Sequence, residues 1–529
     1  MKEKNERPIG IGGLLCAKTA SAMTCFGRWS VILFLVVTGF LSLVFTVHIA
    51  DYAESSFTYD LSSWASVTLI CAFCVLLFAA NAFKKLADAL SRRLLFSIVL
   101  TCSFAVCIAW VFLADAPPGF DSKDLLDAAS FLAGNEDASY LWTSEGCYME
   151  RFPFQGLFAF VLYLCYLAAG EHAALLYQIV NCICVPVIFY YAIRLSEEFS
   201  SNSGYVRLLA ALLCLFFSPL VLYCTFVYAN TLSLSFCMAA FFFQVKAFKS
   251  GNILLHIGSF FLVVVGVLFK SSMLLVLVAM SFVEVVAALR TRRFPLFFVL
   301  AGSLVFYLVA NSFIARGLEH MTGADLDNGV PSSAWVVMGL GADDEDPTTD
   351  RAGWYSAYVW EEFAPDYTEA EYSERSAELI ADRLGYFMSD PLFAAEFFAK
   401  KYIYEWCEPT YEAIQASNWA VSEFGGTPMA ERDLSDVASS MYYGKLNFLT
   451  ITGADALQLL LLLGALCCCG SRKGAGFDFY APVLYAAGGA LFYLAWEAKS
   501  QYIMPFYICL IPYAAVGLSL LCSRMGKRR

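Results

Sequence analysis

The sequence predicts an all-α polytopic membrane protein with about 12 transmembrane helices, one membrane-surface helix and a mainly helical extracytoplasmic module. Three observations lead there. Of 529 residues, 60% are hydrophobic and only 15% charged, with a mean hydropathy of +0.64, whereas soluble domains average about 25% charged residues. Apolar runs long enough to cross a bilayer, about 20 residues each, recur along the chain. Charge is also segregated: residues 315–448 hold 25 of the 46 acidic groups and 8 of the 34 basic ones, a net −17, which leaves +5 for the rest.

Apolar windows fall at residues 29–49, 63–83, 94–114, 153–169, 174–193, 207–224, 230–247, 253–269, 272–289, 294–313, 449–468, 478–496 and 502–522. The first follows a polar, basic stretch and lacks a small-residue cleavage site, so a cleavable signal peptide is not expected. Basic residues mark cytoplasmic loops. They cluster at the N-terminus, in KKLADALSRR (84–93), at Lys246 and Lys249, at Arg290, Arg292 and Arg293, in SRK (471–473) and in the tail. The segments 51–60, 115–152 and 315–448 are acidic and belong outside. All thirteen windows cannot cross, because the parity between 115–152 outside and Lys246/Lys249 inside then fails. The short window 153–169 opens on Pro153, Gln155 and Gly156. It is the one expected to lie in the outer leaflet rather than span. Twelve spans with both termini cytoplasmic result.

This divides the chain into an N-terminal cytoplasmic segment with an accessory helical hairpin (1–93) and a transmembrane module (94–314) with its first outer loop at 115–173. An acidic outer module (315–448) and C-terminal transmembrane helices (449–529) follow. In the outer module, apolar residues at every third or fourth place predict two helices broken at Asp390-Pro391, and GADDEDPTTDRAG an acidic loop. The 19 cysteines lie mostly in apolar runs and, with four His, show no zinc spacing. Cys147 and Cys407 fall in polar segments, which leaves a disulfide between them open. The acidic module carries no basic stripe, so nucleic acid is excluded as a partner.

The residues that carry chemistry stand where the chain leaves the hydrocarbon. In GFDSKDLLDAA (119–129), Asp121 and Asp124 are three apart and share a helix face. An N-cap with an acidic first turn is the plain reading of that pair. Glu150 and Arg151 stand at the lip of the surface helix, where cations attract phosphate. Lys270 lies between two apolar runs with almost no loop to solvate it. Tyr228 and Asn230, with Thr231, place polar atoms at an outward turn. Glu497, Lys499, Gln501 and Tyr502 crowd one short outer loop. An outward aspartate with cations at headgroup depth suits sugar transfer from a lipid phosphate. The carboxylate takes the acceptor proton and the cations neutralise the leaving phosphate.

This order of residues resembles the GT-C superfamily of polyprenyl-phosphate-sugar-dependent glycosyltransferases, such as the protein O-mannosyltransferase and aminoarabinose transferase families. The similarity covers about residues 94–315 and rests on order and spacing. Asp121 in FDSKDLLDAASFLAG is similar to the aspartate that follows an early span in these families. Glu150-Arg151 before Pro153 is similar to a glutamate–lysine pair, and Lys270 in LFKSS to a lysine near the lipid phosphate. Asn230 in YANTL stands where several members have an acid, which speaks against a two-carboxylate metal site. EAKSQYIMPFYICLIPYAAVGL resembles the last-span region of bacterial members, and AWVVMGL (334–340) a pattern in the large loop of Gram-positive ones.

The resemblance implies an inverting glycosyltransferase of the plasma membrane with an extracytoplasmic active site and no cofactor or metal. Asp121 is then the base and Asp124 its neighbour. Arg151 and Lys270 bind the donor phosphate. Glu150, Tyr228, Asn230, Glu497, Gln501 and Tyr502 bind substrate. Its partners are a polyprenyl-phosphate-linked sugar, the lipid bilayer and an unknown outer acceptor. Two alternatives stand beside it. One is a transporter or flippase of a lipid-linked or polar solute, against which no repeat is visible and Lys270, Glu284 and Asp455 lie toward span ends. The other is a non-catalytic envelope-assembly subunit.

Overall fold

The computed structural model describes residues 11–49, 57–61, 80–144, 146–201, 203–326, 329–342, 352–356, 369–417, 435–472 and 476–526. Helix dominates. The main elements are α1 (Ile11–Val44), α2 (Ala80–Ala89), α3 (Arg92–Ala114), α4 (Asp121–Leu132), α5 (Gly156–Ala169), α6 (Ala173–Phe199) and α7 (Gly204–Leu215). They continue with α8 (Asn230–Ser250), α9 (Ile253–Phe269), α10 (Leu274–Thr291), α11 (Pro295–Thr322), α12 (Ser333–Gly339), α13 (Glu369–Ser389) and α14 (Pro391–Trp406). The last three are α15 (Lys445–Ser471), α16 (Ala481–Phe492) and α17 (Met504–Gly526).

The protein is a multi-pass, helical membrane protein. Among the described residues, eight helical runs are long and apolar enough to cross a bilayer, or nine if the bent pair Gly204–Leu215 and Ser218–Thr225 counts as one span. The expected twelve is therefore not reached by length alone. α9, at 17 residues, sits at the lower bound for a span and α16, at 12, falls below it. The window 63–83 lies mostly outside the described residues, as does GADDEDPTTDRAG. Large apolar side chains point outward around the bundle, among them Phe40, Phe112, Ile183, Phe261, Phe298, Val309 and Phe313. A water-soluble surface does not carry such a band, and hydrocarbon solvates it.

Beside the helices, Phe45–Ile49 (β1) and Phe57–Leu61 (β2) pair antiparallel, Phe45 opposite Leu61, so the last five residues of the window 29–49 are strand rather than helix. FTVHI and FTYDL are rich in β-branched and aromatic residues, which suit a half-buried strand. The pair is anchored by Val47 N–H on the Cys407 carbonyl at 3.0 Å and by Thr46 Oγ1 on Asp455 Oδ2 at 2.5 Å.

The bundle has two unlike ends. At one, Glu197, fully buried at the end of α6, binds Arg92 at 2.6 Å, Arg194 at 3.0 Å and Arg207 at 2.5 Å. Beside it Glu198 binds Lys246 at 2.7 Å and Lys249 at 2.9 Å. Arg293 lies against Gly251. Arg472 stacks on Phe479, whose ring meets Phe199. The basic clusters at 84–93, 246–249 and 290–293, with Arg472, thus gather at one end.

The helix starts and ends with the acidic residues gather at the other. α5 begins there. Its first residues meet Tyr228 through Gln155 and through the Phe158 ring at 6.1 Å. The chain then reverses at Gly170, whose φ of 55° and ψ of −127° exclude side chains. α6 sets out from the same region, with Phe158 and Tyr177 ring centroids 5.0 Å apart and Tyr177 Oη bonded to the Tyr228 carbonyl at 2.9 Å.

The outer module is helical among its described residues. α13 stops at Ser389. Asp390 caps α14 by accepting from Phe393 N–H at 3.0 Å, and Pro391 fills the first helical position.

Candidate active site

Asp121 is the first residue of α4. The preceding Phe120, at φ 46° and ψ −133°, is where a cap would sit, and no side chain caps this helix. Capping therefore does not account for Asp121. Non-glycine residues held at positive φ cost about 1–3 kcal/mol and collect at functional sites. Asp121 is half-buried. Burial raises its carboxyl above the usual range, opposed by Lys499, reinforced by Glu497 and opposed again by Lys270. Asp124, one turn on, is pushed up to about 6 by burial and then by the charges of Asp121 and Asp127, with Lys123 opposing.

Lys270 follows α9 directly. Its Nζ lies 4.6 Å from the Tyr228 ring centroid and 5.8 Å from that of Tyr502, a cation–π pairing that tolerates an ammonium in an apolar setting. Burial still drags its pKa down to about 7, against the pull of Asp121. Lys499 behaves in the opposite way. Burial would lower it, but Glu497, Glu412 and Asp121 outweigh that and raise it. Its Nζ sits 3.5 Å from Glu497 Oε1 and 4.6 Å from the Tyr355 ring. Tyr502 Oη donates to Glu497 Oε2 at 3.0 Å. Gln155 Nε2 donates to Tyr228 Oη.

The loop that carries Glu497 and Lys499 is fixed from the outer module. The Lys401 ammonium, 1% exposed, donates to the carbonyls of Gly339, Leu494 at 3.1 Å and Trp496 at 2.7 Å. Ala498 N–H reaches the Gly353 carbonyl at 2.7 Å. A Cβ on Gly339 would collide with the Trp496 backbone, and one on Gly353 with Lys401 and Gly339. These two glycines permit the close approach.

The predicted residues divide accordingly. Asp121, Asp124, Lys270, Tyr228, Glu497 and Tyr502 come together. Asn230, 3% exposed, starts α8 next to Tyr228, with its Oδ1 unpartnered among the described residues. Glu150 does not join them: its carboxylate turns back to accept from Gly146 N–H at 2.8 Å and closes its own loop. Arg151 has Cys147, Glu150, Tyr355 and Tyr372 as its ionisable neighbours and adjoins the site through Tyr355, which Lys499 also faces. Gln501 is half-buried at the loop edge. Cys147 and Cys407 are separate thiols, so the disulfide left open is absent. Glu284 and Asp455, expected toward span ends, are buried between helices. Glu284 Oε1 meets His256 Nδ1 at 2.6 Å.

Sequence reasoning missed the second lysine as a partner of Asp121, and it missed Lys401, Glu405, Glu408 and Glu412 altogether. The run EWCEPTYE (405–412) offered a signal, three glutamates interleaved with aromatic residues. Among the described residues no three His, Cys, Asp or Glu side chains converge as a metal site. The arrangement thus offers two carboxylates with raised pKa values, Asp121 and Asp124, one lysine poised near neutrality and one held charged, beside aromatic rings. No protein-family model matches the chain, and no curated protein matches it.

Proposed function

We propose that the protein is an integral-membrane glycosyltransferase that moves a sugar from a polyprenyl-phosphate donor to an extracytoplasmic acceptor. The observation that carries this reading is the uncapped Asp121 carboxylate facing Lys270 and Lys499 at the end of the bundle opposite the basic loops. By the positive-inside rule the basic end is cytoplasmic. Asp121 then faces the outside of the plasma membrane, and α5 lies along the outer leaflet. A donor anchored by its lipid presents its sugar–phosphate bond at this depth.

In the proposed step Asp121 takes the proton of the acceptor hydroxyl as its oxygen attacks the sugar C1 from the face opposite the phosphate. The C1–O bond breaks, the configuration inverts, and the bonding pair leaves with polyprenyl phosphate. Lys270 and Lys499 neutralise that charge. Burial raises the basicity of Asp121 and so favours proton removal. Tyr228, Glu497 and Tyr502 orient the reacting groups. The chemistry calls for no cofactor.

The buried His256–Glu284 pair, to which Gln244 Nε2 adds a bond at 3.1 Å, is the feature that favours the transporter reading, since ionisable groups inside a bundle often mark proton or ion paths. The two readings part in one assay. Membranes are supplied with labelled polyprenyl-phosphate sugars, and wild type is compared with Asp121→Asn at equal protein. Transfer by wild type, reduced about 10²–10⁴-fold in the variant, supports Asp121 as the base. Equal transfer by both removes it from that role. No transfer by either, with solute flux that depends on Glu284, replaces the enzyme by the transporter.

A further inference from the structure

We propose that a small monovalent cation of sodium's size binds in a cavity behind Lys499, held by Glu405, Glu412 and Ser500. The cavity lies between Trp354, Tyr404, Glu405, Glu412 and Ser500, and its open core of about 10 Å³ admits about one water-sized particle. Glu405 is 2% exposed, lines this space, and its Oε1 has no hydrogen-bond partner among the described residues. An unpartnered carboxylate oxygen that deep is costly, because a buried charge must be paired or coordinate an ion.

Charge balance points the same way. Glu405, Glu408, Glu412 and Glu497 are each at most 3% exposed. The cations facing them are Lys401 and Lys499, and the Lys401 ammonium makes its hydrogen bonds to three backbone carbonyls rather than to a carboxylate. Asp455, the next acid, is occupied by Thr46. Glu408 is acceptor to four donors: Thr410 N–H at 2.8 Å, Thr410 Oγ1 at 2.5 Å, Glu412 N–H at 2.7 Å and Ser500 Oγ at 2.9 Å. Burial raises the Glu408 pKa to about 7, and these bonds oppose it by favouring the carboxylate form. The acids of this cluster thus outnumber its cations.

The backbone is bent to present them. Tyr411 and Glu412 both take the left-handed conformation, at φ 55° and 56°, a strained pair for non-glycine residues. The turn brings Glu412 Oε1 to Ser500 N–H at 3.0 Å. Hard oxygen ligands of this kind select alkali and alkaline-earth ions. The absence, among the described residues, of three converging acids or imidazoles favours the single charge. The ion would tie the 405–412 turn to the 498–500 loop and so hold Lys499 in place. The proposal stands whether or not the protein transfers sugars.

The test uses the full chain purified in detergent, with radioactive sodium and with choline as the ionic-strength replacement. Saturable binding of about one sodium per chain is expected, weakened roughly tenfold or more by Glu405→Gln and unchanged by Glu378→Gln on the exposed face of α13. Sodium should also raise the melting temperature of the wild type relative to choline at equal ionic strength. Should Glu405→Gln fail to fold, the wild-type comparison decides alone. The absence of saturable sodium binding overturns the proposal. So does a melting temperature that is equal in the two salts and follows pH, because protons would then neutralise these acids.

Discussion

Lys401→Met separates the loop that bears Glu497 and Lys499 from the outer module while keeping the side chain's length. The ammonium makes three hydrogen bonds to carbonyls of Gly339, Leu494 and Trp496. Bonds to charged groups contribute about 1.5–3 kcal/mol each, so the gross stabilisation is roughly 5–9 kcal/mol. Burying the ammonium costs several kcal/mol in return. The substitution removes both terms but strands carbonyls that water reaches poorly, and a net loss of about 2–4 kcal/mol is expected at neutral pH. Burial pulls the Lys401 pKa down to about 7, with Glu405 and Glu497 opposing. A depressed amine pKa means that the folded state sheds its proton before the unfolded one. The penalty is fully present below about pH 7 and is relieved as pH rises toward the ordinary value of 10.5. Thermal midpoints of both proteins between pH 6 and 9.5 measure this. The variant should melt lower throughout and lack the part of the wild-type pH dependence that Lys401 supplies above about pH 7. A variant that melts with the wild type at pH 7, or keeps its full slope, would refute the reasoning.

Three further outcomes follow from the same geometry. With Lys270 at about 7 and Asp121 raised above its ordinary 3.8, kcat/KM for sugar transfer should fall on the alkaline side near neutrality and on the acid side above pH 3.8. Lys270→Arg should move the alkaline limb upward, and a pH profile left unchanged would remove Lys270 from donor binding. Glu197→Gln leaves Arg194 and Arg207, 19% and 12% exposed, crowded without a counter-charge, and should destabilise the detergent-solubilised protein by about 3–5 kcal/mol, read as a lowered melting temperature. Gly170→Ala forces a Cβ into a conformation reserved for glycine and should cost about 1–3 kcal/mol, also visible in the melting temperature, with a loss of transfer larger than that of Gly134→Ala on the neighbouring loop.

Most of the helical skeleton was legible because a span announces itself by composition over 20 contiguous residues. The window 153–169 was singled out for a different reason: charge parity at 115–152 and at Lys246 left one window too many. Asp121 was legible because a carboxylate just beyond a long apolar run stands at headgroup depth, where lipid phosphates repel it unless nearby cations hold it. Its partner Lys499 stands 378 positions away in the chain, and no local pattern reports a pairing at that range. Arg151 drew attention as a cation at the lip of an apolar helix, and its ionisable neighbours are Cys147, Glu150, Tyr355 and Tyr372. The β1–β2 pair escaped because β1 is the tail of an apolar run that reads as a span, and five residues carry little periodicity of their own. Lys401 escaped because a lysine in an amphipathic helix is ordinarily a solvated one, and only burial under Gly339 and Trp496 shows otherwise.

The outer segment is best understood as the second wall of the site. Asp121 enters from the transmembrane side on α4, and Lys270 from the turn after α9. The loop with Glu497 and Lys499 belongs by sequence to the C-terminal helices, but its conformation is set by residues of the outer segment. Lys401 gathers the carbonyls of residues 494 and 496, Gly353 receives Ala498, and Glu412 receives Ser500. Each contact is a buried polar one that water replaces poorly, so the loop has one low-energy arrangement only while the outer segment is docked. The charge state of Lys499 depends on the same docking, since Glu497 and Glu412 are the leading charges that keep it protonated despite burial. Asp121 in turn has Lys499 as the largest charge opposing its own rise in pKa. A perturbation of the outer segment is therefore felt at Asp121 through charge as well as through position. Removing Lys499 would leave Asp121 a stronger base beside a leaving group with one cation fewer.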